Sequence, residues 1–127
     1  MNLQSLLNIE LPIVQAPMAG AQGSAMAVAV SNAGALGSLP CAMLSLQAMC
    51  DELTLLRAQT TQPYNVNFFC HTPPVADAAR DARWAEALAP YFHELGLDPA
   101  SSDPGAGRAP FTAEVADVLA EFKPPVV

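Results

Sequence analysis

Basic residues are scarce in this 127-residue chain, where 5 Lys and Arg stand against 12 Asp and Glu for a formal charge of −7. A polyphosphate surface recruits basic patches, so this balance argues against nucleic acid as a partner. Cysteine is sparse as well. Cys41, Cys50 and Cys70 are odd in number and none forms a Cys-x-x-Cys pair, which argues against a disulfide framework or a structural zinc site and leaves buried, reduced thiols as the expectation. Long apolar runs are missing. A membrane span needs about 18 or more uninterrupted apolar residues, and polar residues, Gly and Pro interrupt every run here. No Lys or Arg precedes Arg57, so the early basic region of a secretion signal is also missing, and a cytoplasmic location is expected. Charge of either sign is low, 13% against 52% hydrophobic residues, which is not the composition of a disordered acidic tail.

The apolar residues fall into short, ordered segments. Pro12-Ile13-Val14-Gln15-Ala16 reads as a strand that stops at Pro17, which cannot donate to a ladder. Ser24–Asn32, rich in Ala and Met, reads as a helix with serine as N-cap and Ala33-Gly34 as its close. Residues 35–39 form a second predicted strand, stopped by Pro40. A helix from Ser45 to about Gln59 follows, with Leu46, Met49, Cys50, Leu53 and Leu56 at helical spacing and Leu44 with Met49 as a hydrophobic staple. Residues 64–69 read as a third strand, ended by Thr72-Pro73-Pro74. The stretch 75–95 reads as an Ala-rich helix with an apolar stripe of Trp84, Leu88, Phe92 and Leu95, bent or broken at Pro90. Residues 98–110 read as a surface loop or lid. Thr112 caps a last helix, with Glu114 in its positive first turn, running to about Phe122, and Pro124–Val127 reads as the start of a fourth strand.

Strand and helix alternate in this order, and right-handed βαβ units of this kind build parallel sheets. The three longer strand segments are largely apolar on both faces, as covered parallel strands are. A complete eight-stranded (β/α)8 barrel takes about 250 residues. The expected fold class is therefore α/β, the first strands and helices of a TIM barrel truncated at about the fourth strand.

Several residues invite a chemical reading. Gln15–Gly20 marks the end of the first strand, the end that faces the active site in a parallel barrel. Ala19 and Gly20 let a flat ligand approach the main chain there, and a plain strand terminator with a flexible turn is the alternative. Ser31–Gly37 contains Gly-x-x-Gly at a helix end and strand start, the reverse of a dinucleotide fingerprint, so helix capping and close backbone packing account for it. Asn67, between Val66 and Phe68, either bonds the edge of a heterocycle or ties down a neighbouring loop. Cys70 and His71 are adjacent and point to opposite faces of a strand, a poor nucleophile–base dyad. His71 reads as a turn residue and His93 as a solvated one. Metal-ligand clusters, a P-loop and paired carboxylates are not found.

Three of these segments together resemble the nitronate monooxygenase family, formerly called 2-nitropropane dioxygenases. They are Pro12-Ile13-Val14-Gln15-Ala16-Pro17-Met18-Ala19-Gly20, Ala29-Val30-Ser31-Asn32-Ala33-Gly34-Ala35-Leu36-Gly37-Ser38 and Asn65-Val66-Asn67-Phe68-Phe69, in the family's order and separation. Flavin-dependent enoyl reductases of fatty-acid synthesis share the first two; Asn-Phe-Phe in the third is more like the nitronate enzymes. The resemblance implies an FMN-binding TIM barrel oxidising alkyl nitronates such as propionate 3-nitronate with dioxygen and without a metal, the flavin carrying the redox chemistry. It places Ala16, Pro17, Met18 and Ala19 against the flavin ring and gives Asn67 a hydrogen bond to FMN. The implied partners are a small nitronate and dioxygen, with neither nucleic acid nor membrane.

The family's catalytic histidine and glycine-rich phosphate loops belong to later strands, and neither His71 nor His93 matches that histidine. The resemblance thus makes residues 1–127 the N-terminal part of the FMN domain, inactive alone and without an evident phosphate cradle. It makes about 75–110 an inserted helix and loop that covers the pocket or contacts a second copy in a homo-oligomer. The competing readings are an enoyl-thioester (enoyl-acyl carrier protein) reductase-like enzyme and a catalytically dead fragment or interaction module.

Overall fold

The computed structural model of the chain describes residues 2–99 and 108–127. It divides into two compact units, Met1–His71 with Arg108–Val127, and Thr72–Gly107.

The first unit opens with a five-residue helix, α1 (Leu3–Leu7), that the periodicity does not predict. A local device makes it: the Asn2 side chain accepts from the Ser5 N–H while the Ser5 hydroxyl is placed against the Asn2 main chain, and Asn8 closes the turn at φ 54°. No residue of α1 is buried. The next helix, α2 (Ser24–Asn32), has the predicted span, but Gly23 is its N-cap and Ser24 its first helical residue. Ser24 instead donates its main-chain N–H to the Glu52 carboxylate at 2.8 Å, so an acid from another helix satisfies the positive end of α2. At the other end Gly34 takes φ +91°, as the expected helix close requires.

Strand β1 (Gly37–Pro40) pairs in parallel with β2 (Tyr64–Asn67), in the register Gly37–Tyr64 through Pro40–Asn67. Pro40, expected to stop the strand, is its last residue. The Cys41 N–H, not that of Pro40, donates to the Asn67 carbonyl at 2.9 Å; the missing donor of Pro40 faces the opposite side, where it interrupts nothing. The first and fourth predicted strands are reduced to single parallel bridges, Val14 with Leu36 and Val126 with Asn65. The lateral order is thus Val14, β1, β2, Val126, all parallel, following the chain. β2 ends at Asn67, two residues short of the predicted strand, and Phe69 bridges separately to Pro110.

Helices α3 (Leu46–Gln59) and α5 (Ala113–Phe122) carry their predicted caps, Ser45 and Thr112. With α2 they cover one face of the sheet: Ala27, Met49, Leu53, Leu56 and Leu119 pack with Leu39, Tyr64 and Val66 in one core. Gly37 lets α2 reach β1, since a methyl group there would collide with the Ala27 carbonyl oxygen and lie 2.6 Å from the Ser31 hydroxyl. That hydroxyl accepts from the Gly37 N–H and donates to the Pro63 carbonyl. The Ser31–Gly37 motif therefore caps a helix and packs backbone on backbone.

The second unit contains α4 (Ala78–Glu94), capped by the Asp77 carboxylate on the Arg80 N–H. It passes through Pro90 without the expected break. Proline removes one hydrogen bond and crowds the preceding turn, but Ala78, Ala79, Ala82, Ala85, Ala87 and Ala89 supply strong helix propensity around it. No residue of α4 is buried. Leu88 and Phe92 are half-buried, while Trp84 and Leu95 are 65% and 68% exposed. Most of the loop expected over 98–110 lies outside the described residues, and Pro110 at its end is a bridge partner. Among the described residues no helix is long and apolar enough to cross a membrane.

Candidate functional site

Because all four strand segments are parallel, their C-terminal ends lie along one side of the sheet: Ala16–Ala19 follow the Val14 bridge and Asn67 ends β2. Side chains alternate across a strand. Tyr64 and Val66 enter the helix-covered core, so Asn65 and Asn67 belong to the other face, where both are half-buried. Ser38, the register partner of Asn65, accepts from its side-chain amide at 3.1 Å. This second face is polar where the first is apolar.

The turn after Val14 reaches the same face through two glutamines. The Gln15 amide spans Ser38, its Oε1 accepting from the Ser38 N–H at 3.1 Å and its Nε2 donating to the Ser38 carbonyl at 3.4 Å. Gln22 Nε2 donates to the Ala16 carbonyl at 2.9 Å and to the Ser38 carbonyl at 3.3 Å. Ala16 is thus fixed beside β1, with Asn67 on the neighbouring strand. Pro17 and Ala19 are half-buried, Ala16 and Met18 exposed, and Gly20 turns the chain at φ +80°.

Two sets of polar groups remain open. Among the described residues, the Met18 and Ala19 N–H groups find no acceptor and the Asn67 side-chain amide makes no hydrogen bond. The Asn67 carbonyl, by contrast, is held in the sheet by the Cys41 N–H. Asn67, Phe68, Cys70, Phe111 and Val127 line an open cavity of about 310 Å³. Phe68 meets Phe111 edge-on at 5.2 Å, and the Phe111 N–H donates to the Phe69 carbonyl, which fixes the cavity wall. An unsatisfied amide, free main-chain donors and small side chains suit the polar edge of a planar heterocycle.

Other candidates fall away. Cys41 is 3% exposed and its thiol is pushed up to about 12, mainly by burial, with the Asn67 backbone hydrogen bond opposing and Glu52 adding to the shift. It is a neutral core residue. Of the cysteines expected to be buried, only Cys41 is; Cys50 is intermediate and Cys70 exposed, each lying outside the helix-covered core cluster. All three are free thiols. His71 lies against the Phe69 ring and His93 is solvent-exposed, and neither reaches the polar face through a hydrogen bond. Among the described residues no group of acids, histidines and cysteines is arranged to hold a metal, and Arg57 is placed over the Phe122 ring rather than at the strand ends. Sequence reasoning gave no role to Gln15, Gln22, Ser38 or Asn65. Gln15 was visible as a polar residue at a strand end, whereas nothing in the spacing marked Gln22.

Comparison with known proteins gives the family of the chain. The family model described as nitronate monooxygenase matches residues 1–127. The chain is 41% identical over 130 residues to a nitronate monooxygenase of Paraburkholderia phytofirmans, covering 98% of this chain and 34% of that protein. It is 45% identical over 94 residues to the Pseudomonas aeruginosa enzyme of the same name, covering 74% and 27%. Among solved structures, a nitroalkane oxidase from Streptomyces ansochromogenes superposes with a TM-score of 0.65 at 31% identity, over 94% of this chain and 32% of that one. FabK from Thermotoga maritima gives 0.53 at 29% identity, over 75% and 27%. The chain spans about a third of the length of these relatives, and it belongs to the nitronate monooxygenase family.

Proposed function

We propose that this chain forms the opening βα units of an FMN-binding TIM barrel that oxidises alkyl nitronates, such as propionate 3-nitronate, with dioxygen. The observation that carries the reading is that the Ala16–Ala19 turn and Asn67, whose side-chain amide is unpaired among the described residues, both follow the C-terminal ends of parallel strand segments. Family membership supplies the reaction class, and the superposition on a nitroalkane oxidase supports it.

The residues present suit the ring of the cofactor. Ala16 and Ala19 let the main chain come close to a flat ring, Met18 and Pro17 offer apolar surface, and the Met18 and Ala19 N–H groups and the Asn67 amide meet its polar edge. When bound, the flavin supplies the redox chemistry. The protein's own part at this end is to orient the ring and to keep water from its apolar face. The phosphate tail has no evident partner among the described residues, since Arg57 is engaged on Phe122 and no basic cluster faces the strand ends. Residues 1–127 alone therefore hold a partial seat.

The protein expressed from its natural gene should carry FMN and consume dioxygen when propionate 3-nitronate is added; colourless protein without oxygen uptake refutes the reading. Residues 1–127 alone should bind FMN weakly, and tight stoichiometric binding by them would show the seat to be complete. The likeness to FabK motivates one control. Oxidation of NAD(P)H with an enoyl thioester, and not oxidation of the nitronate, would move the assignment to a flavin-dependent enoyl reductase.

A further inference from the structure

The ladder between the first strand segment and β1 stops abruptly, and its hydrogen bonds show why. The Leu36 N–H donates to the Ile13 carbonyl at 3.0 Å, and the Gln15 N–H donates to the Leu36 carbonyl at 2.9 Å. Parallel ladders advance by two residues on each strand. The next pair of bonds would run from the Ser38 N–H to the Gln15 carbonyl and from the residue 17 N–H to the Ser38 carbonyl. Residue 17 is proline and has no N–H.

Both bonds are nevertheless made, by side chains. Gln15 Oε1 accepts from the Ser38 N–H, in place of its own main-chain carbonyl, and Gln15 Nε2 donates to the Ser38 carbonyl, in place of the missing proline donor. Gln22 Nε2 adds a second donor to that carbonyl and ties the Ala16 carbonyl to it. The orientation of the Gln22 amide is fixed, because both of its contacts are acceptors and only the NH₂ end can meet them. The cost falls on Gln22 Oε1, which is buried without a partner among the described residues. Ser38 itself is fully buried, so bare N–H and C=O groups there would be expensive.

We infer that Gln15 and Gln22 are positioning residues for the Ala16–Ala19 turn. Their side-chain amides complete the ladder against Ser38, so the main chain can leave it at Ala16 and turn its own N–H groups toward a ligand. The ligand half of this inference rests on reading that turn as part of the flavin seat; the ladder half does not.

The test uses the protein expressed from its natural gene, with amide hydrogen exchange and FMN titration as readouts. In Gln15→Met the Ser38 amide should exchange at least about tenfold faster, the loss of roughly one hydrogen bond, while Leu36 and Val66 keep their protection. Gln15→Glu retains the accepting oxygen and should keep Ser38 protected, which separates the specific bond from general damage. Gln22→Met should weaken FMN binding about tenfold and alter the bound flavin's visible spectrum. Pro17→Ala, added to Gln22→Met, restores a main-chain donor opposite Ser38. The double variant should regain the stability lost in Gln22→Met without regaining FMN affinity, because the turn is drawn back into the ladder. Unchanged Ser38 exchange in Gln15→Met would overturn the ladder half. Unchanged FMN affinity and spectrum in Gln22→Met would overturn the ligand half. Absence of FMN from the unaltered protein would instead refute the flavin seat, and Ser38 exchange would still decide the ladder.

Discussion

Asn67 and Gly37 occupy neighbouring strands and do opposite jobs. The Asn67 amide makes no bond among the described residues, so Asn67→Ala should leave thermal stability within about 0.5 kcal/mol. On the proposed flavin seat, the same change should weaken FMN binding about tenfold, as expected for the loss of a hydrogen bond to a polar ring edge. A large stability loss with unchanged flavin affinity would make Asn67 the loop tie that its sequence context also allowed. Gly37→Ala has no bearing on ligand binding but drives a methyl group into the Ala27 carbonyl and the Ser31 hydroxyl, and it should cost about 3 kcal/mol. Gly23 is the internal control. A methyl group there meets only the flexible Glu52 carboxylate, at 3.4 Å, so Gly23→Ala should be several-fold milder in urea denaturation. The place of Asn67 near the C-terminal end of its strand was legible in the sequence. Gln22 was not, because its contact with Ser38 depends on a turn closing in three dimensions.

The elements that sequence reasoning placed well are those whose ends are set by local chemistry. Ser45 and Thr112 cap α3 and α5 with their own hydroxyls, and Met49, Leu53 and Leu56 recur on the buried side of α3. The misplacements have physical causes of equal clarity. At α2 the Glu52 carboxylate arrives from another helix and takes the N–H of the residue expected to be the cap. At the first strand the proline forces the main chain out after a single bridge, and side chains finish the pairing. At α4 the proline does not break the helix, since it is outweighed by the surrounding alanines. Pro90→Ala should therefore stabilise α4 rather than create it. The new N–H regains a hydrogen bond to the Glu86 carbonyl, and a helix-interior proline costs about 3 kcal/mol relative to alanine. Amide exchange should slow across Glu86–Glu94 with no change at β1 or β2. Exchange that stays the same would mean that alanine propensity does not hold residues 86–94 in a helix even without the proline.

The first unit is held by a core in which two ionisable side chains are buried on the apolar face of one small sheet, and this gives its stability a predictable pH dependence. Cys41 has its thiol pushed up to about 12 from an ordinary value of 9.0, chiefly by burial. Tyr64, 5% exposed, is raised for the same reason, with Arg57 opposing. Both groups are neutral in the folded chain and ionise more readily once unfolding returns them to water. The unfolded state thus binds fewer protons in the alkaline range, and linkage requires stability to fall as pH rises there. The contribution of Cys41 is fully present below about pH 9 and is lost between there and about 12, a window set by its two values. Urea midpoints measured from pH 7 to 11 should be flat at first and then decline. The decline should be shallower in Cys41→Ala and shallower again when Tyr64→Phe is added, although each variant starts from a lower midpoint because it removes core volume or a buried polar group. Thiol labelling gives the same result by a second route. At pH 8 the exposed Cys70 should react at once, whereas Cys41 should react only at the rate at which the core opens, and raising the pH should speed its labelling in step with the falling urea midpoint. If Cys41 labels as fast as Cys70 in the folded protein, the sheet's apolar face is not closed by α2, α3 and α5, and the opposite, polar face loses the rigid support on which the proposed cofactor seat depends.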